Sequence, residues 1–284
     1  MELASPIIIY WDLPHGPKKS EFQQRICADI LECRPLMLQL YCPDFQPEDG
    51  RLALFELLTG RQNAVSLTVP FEFIDSFSKY TGLKELLISV DSLDKLVMIT
   101  NAQSLTGISF SVSRENWRQL PELVRFCRNS ELKRLVLPMQ RLQNGEAPFF
   151  ITRQEQRELG TSLVEAGGLK DLNLTIHDPF LWRAFYPELP FPQAGCQAAN
   201  TMIFIDPEGN VYPCPTLPVR LGTVGELSLK EIIASPAKKE FRRRLLETPD
   251  DCRGCGDILE CRGGCRGRAF VLHASLGGID SACQ

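Results

Sequence analysis

The spacing of seven cysteines constrains this chain more than any other feature. From Cys196 the sequence runs twelve residues to Gly209, four to Cys214 and 37 to a dense C-x2-C-x5-C-x3-C run at Cys252, Cys255, Cys261 and Cys265; 17 more lead to Cys283. In a reducing compartment such a cluster serves metal rather than disulfides. A close C-x2-C pair lets one turn present two sulfurs to the same centre, and iron–sulfur clusters take thiolate ligands. Zinc is the alternative, because C-x2-C with two further cysteines closes a tetrahedral site. A single zinc, however, uses only four of the seven thiols.

The residues between the thiols suit an anionic cluster. Arg253, Arg262, Arg266 and Arg268 place positive charge beside it, and Gly254, Gly256, Gly263, Gly264 and Gly267 let the backbone wrap close and aim amides at sulfur. The remaining thiols, Cys27, Cys33, Cys42 and Cys127, are scattered through the first half and read as small buried side chains.

Ahead of the cysteine-rich tail the pattern is α/β. Apolar or β-branched runs at 6–13, 36–42, 63–69, 83–90, 105–112, 132–138 and 169–176 read as parallel strands buried on both faces. Amphipathic stretches at 19–33, 71–82, 115–131 and 152–168 lie between them and read as helices. The alternation repeats at the length of a βαβ unit. It predicts a partial (β/α) barrel of the TIM type over residues 1–190, ending near Asp178 or Pro179; a doubly wound sheet would show the same period. A Pro- and aromatic-rich connector at 179–192 leads into residues 191–284. There, "TMIFID" and "NVYPC" flank the turn "PEGN", so a hairpin is expected between Cys196 and Cys214. The segment 228–251 reads as one or two helices.

These residues together resemble the SPASM domain, the seven-cysteine C-terminal extension of many radical S-adenosylmethionine (SAM) enzymes that modify peptides and proteins. All seven cysteines, the glycine before the second and the helical insert are present. The resemblance implies a partial (β/α) barrel followed by a small domain holding [4Fe-4S] clusters, commonly two. It implies Cys196, Cys214 and Cys265 on the first cluster, and Cys252, Cys255, Cys261 and Cys283 on the second. The first then has three thiolates and needs a further ligand or leaves an iron open.

The chain departs from that family at the other end. Radical SAM enzymes carry C-x3-C-x2-C after the first barrel strand, where three thiolates hold the cluster that cleaves SAM. Here no cysteine occurs between that strand and Cys27, and "YCPDFQPEDG" stands where a glycine-rich cofactor segment is usual. No SAM-binding residues are assigned, and no catalytic residue is named. The chain is similar in this to the SPASM component of three-part GeoRSP-type systems, which implies a radical SAM enzyme and a PqqD-like peptide-binding protein, or the peptide substrate itself, as partners. The expected role is an accessory one: passing electrons to the partner enzyme or positioning its peptide. A zinc-stabilised scaffold, or an enzyme using an open iron as Lewis acid, is the alternative.

Other readings are weaker. A net charge of −4 gives no electrostatic reason for nucleic acid or an anionic membrane as partner. No stretch reaches the roughly 18 apolar residues of a membrane helix, and the first residues do not read as a signal peptide, so a cytoplasmic location is expected. His177 and Asp178 follow a strand, on the face where barrel sites are built, but a lone histidine there reads as a hydrogen-bonded loop residue. Asp12, His15, Lys18 and Lys19 read as a solvated loop, and the charge run at 238–247 as a solvated helix face. Walker, dinucleotide and nucleophile-elbow motifs are absent from the sequence.

Overall fold

The computed structural model describes residues 3, 5–14, 20–44, 51–60, 63–77, 82–98, 105–130, 132–143, 145–191 and 195–283. Its strands are β1 (Ile8–Asp12), β2 (Met37–Tyr41), β3 (Ala64–Pro70), β4 (Glu85–Val90), β5 (Gly107–Phe110), β6 (Arg134–Leu137), β7 (Asn173–Ile176), β8 (Met202–Ile205), β9 (Asn210–Tyr212) and β10 (Gly222–Thr223). Its helices are α1 (Ser20–Cys33), α2 (Arg51–Thr59), α3 (Ile74–Phe77), α4 (Leu120–Asn129), α5 (Arg153–Glu165), α6 (Pro179–Phe185), α7 (Leu229–Ala234), α8 (Pro236–Leu245), α9 (Ile258–Cys261) and α10 (Arg266–His273). The chain forms two compact units. One draws on residues within 1–88, 101–105 and 197–243, the other on residues within 89–100, 106–196 and 244–284.

In the first unit the strand order is β10-β9-β8-β1-β2-β3-β4. β1 pairs in parallel with β2 on one side and with β8 on the other. The registers align apolar residues across four strands: Ile203, Ile9, Leu38 and Val65 in one row, Ile205, Trp11, Leu40 and Leu67 in the next. All eight are buried and, lying two apart along each strand, they line one face of the sheet. The hairpin lies where the sequence placed it. β8 and β9 pair antiparallel, and the Asp206 carboxylate closes their turn by accepting from the amides of Glu208 (2.9 Å) and Asn210 (2.8 Å) and from the Tyr212 hydroxyl (3.2 Å).

In the second unit the order is β5-β6-β7, again parallel and in chain order. Ile108, Leu135 and Leu174 share one row, and α4 turns Leu120, Leu123, Val124 and Cys127 inward. Neither unit contains the reversal of strand order that marks a doubly wound sheet, so the α/β class takes its (β/α) barrel-type form.

Three expectations need correction. Asp12 is not in a solvated loop: it ends β1 and is buried, while His15, Lys18 and Lys19 lie outside the described residues. The charge run on α8 is not wholly solvated either, because Lys238 and Arg242 are buried and Arg242 donates to the Ala198 carbonyl at 3.0 Å. The stretch 71–82 forms only a 3-10 turn (Phe71–Phe73) and the single turn α3, with 78–81 outside the described residues.

Candidate metal centre

Cys252, Cys255, Cys261 and Cys283 come together in the second unit. Cys252 closes a 3-10 turn (Asp250–Cys252), Cys261 ends α9, and Cys283 ends the 3-10 turn Ser281–Cys283. Their proximity shows in their electrostatics. Burial, and then the neighbouring Cys261, Cys283 and Cys255, push the Cys252 thiol up; burial, Cys283 and Cys255 do the same to Cys261. After Cys261 the backbone enters the left-handed region three times, at Arg262 (φ 50), Gly263 (φ 85) and Gly264 (φ 66). That reversal aims the Gly263 and Gly264 amides back at the Cys261 thiol. Cys283 is tied down close to the chain end: Arg153 Nε donates to its carbonyl at 2.9 Å, and Arg153 Nη2 lies 3.7 Å from its Sγ. A cavity of about 650 Å³ opens beside this group, lined among others by Arg153, Arg157, Phe180, Phe191, Cys261 and Cys283.

Cys265 begins α10 in the same unit. Its amide donates to Asp280 Oδ2 at 2.6 Å, and burial pushes its thiol up to about 12. Asp280 is in turn held by Arg268, which is 1% exposed. Arg268 Nε donates to Asp280 Oδ1 at 2.6 Å, its Nη2 donates to Oδ2 at 2.9 Å, and its Nη1 pairs with the Asp178 carboxylate. Asp178 also caps α6, accepting from Phe180 (2.9 Å) and Leu181 (3.0 Å). The loop residue singled out in the sequence therefore acts structurally, helping to neutralise the buried guanidinium that fixes Cys265. Cys196 belongs to this unit, whereas Cys214 lies just beyond β9 in the other.

The four arginines of the cysteine run separate by role. Arg253 is exposed and pairs with Asp250 at 2.7 Å, Arg268 is neutralised as above, and Arg262 turns the chain. Arg266 is different. It is 2% exposed, its Nη2 donates to the Leu276 carbonyl, and its Nε and Nη1 have no hydrogen-bond partner. The charges that act on it, after burial, are the thiols of Cys196, Cys252 and Cys265. An unpaired buried guanidinium costs several kcal/mol unless a negative group compensates it. Among the described residues no three His, Cys, Asp or Glu side chains are arranged to hold a single metal ion. The donor set nevertheless fits a thiolate-ligated iron–sulfur cluster, whose sulfur and negative charge would satisfy Arg266.

The other four cysteines are packing residues. Cys27 and Cys33 on α1, Cys42 after β2 and Cys127 on α4 are all buried, and burial pushes Cys27 and Cys33 up to about 11 and Cys127 to about 12. The Cys42 thiol donates to the Asp44 carbonyl at 3.0 Å.

Residues 196–256 match the family model of SPASM, described as an iron–sulfur cluster-binding domain. Over these residues the chain is similar to a domain described as binding iron–sulfur clusters. The cysteine-type anaerobic sulfatase-maturating enzyme of Clostridium perfringens is 29% identical over 65 residues, 22% of this chain and 18% of that protein. The mycofactocin maturase MftC of Mycobacterium tuberculosis is 28% identical over 198 residues, 64% of this chain and 48% of that one. The chain thus spans less than half the length of either relative. Among solved structures, Streptococcus suis SuiB bound to precursor peptide SuiA has a TM-score of 0.70 at 16% identity, covering 100% of this chain and 77% of SuiB. The fold is shared with SuiB.

Proposed function

We propose that this chain is an iron–sulfur accessory protein that hands electrons to, or positions a peptide for, a partner radical SAM enzyme during peptide or protein modification. The observation that carries the reading is the division of its cysteines. Seven follow the SPASM spacing, while the other four are buried one by one in α1, after β2 and in α4, with none left for a SAM-cleaving loop. The proposed arrangement is a radical-SAM-like partial barrel at 1–190 and a cluster domain at 191–284, with two [4Fe-4S] clusters. Cys196, Cys214 and Cys265 would hold one, and Cys252, Cys255, Cys261 and Cys283 the other. When bound, such clusters supply one-electron chemistry. The chain's own residues do the rest: the Gly263 and Gly264 amides and Arg153 orient sulfur ligands, and the cavity beside Cys261 and Cys283 lets a partner approach the second cluster. The peptide and the enzyme are partners by analogy with the maturation relatives, and a PqqD-like protein would deliver the peptide.

The test is direct. Anaerobically loaded protein, reduced with dithionite and mixed with SAM, is expected to yield no deoxyadenosine beyond a protein-free control. Sustained release of deoxyadenosine would show that the chain starts the radical itself, and would overturn the accessory assignment.

A further inference from the structure

Arg266 is a buried cation of the cysteine run that, among the described residues, forms no ion pair with a carboxylate. Arg268, two positions along, shows what a satisfied buried guanidinium looks like here, with Asp280 and Asp178 both in contact. Arg266 has neither. One nitrogen is anchored to the Leu276 carbonyl, which fixes the plane of the fork, and the other two donors are buried and empty-handed. The backbone makes room for it: a Cβ at Gly263 would stand 2.9 Å from Nη1 and 2.7 Å from Pro249 Cγ. Its neighbours Cys196, Cys252 and Cys265 are assigned above to different clusters, Cys252 to one and the remaining two to the other. Thiols of both groups therefore act on its charge.

We propose that Arg266 is a positioning residue shared by the two clusters, its Nε and Nη1 reserved for their sulfur ligands and its charge holding both at a higher reduction potential. The proposal rests on the two-cluster reading. The physical argument is that a fixed positive charge stabilises the reduced, more negative form of each cluster, and that hydrogen bonds to sulfur act in the same direction. A single cation that acts on both clusters raises both potentials together.

The experiment uses the full chain, loaded anaerobically, with Arg266→Gln and Arg266→Lys beside it. Iron and sulfide are measured first, and the clusters are then titrated against redox mediators and followed by EPR. At the ambient potential where each wild-type cluster is half reduced, Arg266→Gln is expected to lower the ratio of reduced to oxidised cluster about tenfold in both, which is 59 mV for one electron. Arg266→Lys keeps the charge and loses the fork, so its ratio should stay within about threefold of wild type. If the Gln variant does not load, a loaded Lys variant with that smaller shift still supports the assignment. Three results contradict it: a Gln variant with full iron and unchanged ratios, a shift confined to one cluster, and failure of both variants to load, which would make the role one of folding. Wild-type protein that binds no iron would instead remove the cluster reading itself.

Discussion

His177 illustrates how far one residue can be read. The sequence marks it as a lone histidine after a strand, and the structure leaves it half-buried there, with its pKa pushed down to about 4 by loss of solvation and by the nearby Arg134 cation. A folded value below the ordinary 6.5 means that the unfolded chain binds the proton more readily. The associated stability is present above pH 6.5 and is lost as the pH falls from there toward 4. Urea unfolding of wild type should weaken by up to about 1.4 kcal/mol per pH unit across that window relative to His177→Gln; parallel profiles for the two would refute this. Gly209 was legible as part of a spacing but not as a conformation. It sits at φ 84 in the β8–β9 turn, and a Cβ there would lie 2.6 Å from the Phe22 ring. Gly209→Ala should therefore cost about 2 kcal/mol in a denaturation midpoint analysis, from left-handed strain and the displaced ring, whereas Gly254→Ala meets no atom within 4 Å and carries only the strain.

At the scale of elements, β1, β4, β5 and β6 were legible because most of their residues are buried and so run nearly continuously apolar, whereas β2 alternates and β7 has no fully buried residue. Helix α2 was not, because "RLALFELLT" is too short and too apolar to display a period, and β10 is only two residues long. The role of Asp178 does have a sequence signal: Asp followed by Pro is a helix N-cap with proline at the first helical position. Arg268 and Asp280 could not be paired from sequence, since proximity in the chain does not say which of four arginines turns inward. Their pairing yields a prediction for α10. Asp280→Asn leaves the Arg268 guanidinium half-compensated and loosens the acceptor for the Cys265 amide, so it should destabilise the protein by about 3 kcal/mol in urea titrations and lower its iron content as well. A variant with wild-type stability would show that the pair is not holding the helix.

For the whole molecule, the seven cysteines proposed as ligands were singled out by spacing, while their electrostatic setting was not legible. Spacing alone treats the seven thiols alike and cannot tell a neutralised arginine from an unpaired one. The three-dimensional arrangement separates Arg268, which stabilises the scaffold, from Arg266, which awaits a negative group. Among the described residues no helix is long and apolar enough to cross a membrane. The central claim is that the cysteine-rich tail holds iron–sulfur clusters on a chain that does not cleave SAM. Iron, acid-labile sulfide and zinc per chain, measured on protein purified without oxygen, test it most directly. The account predicts about eight irons with matching sulfide and no stoichiometric zinc. One zinc per chain without sulfide would contradict it, and would leave a metal-fixed scaffold in its place.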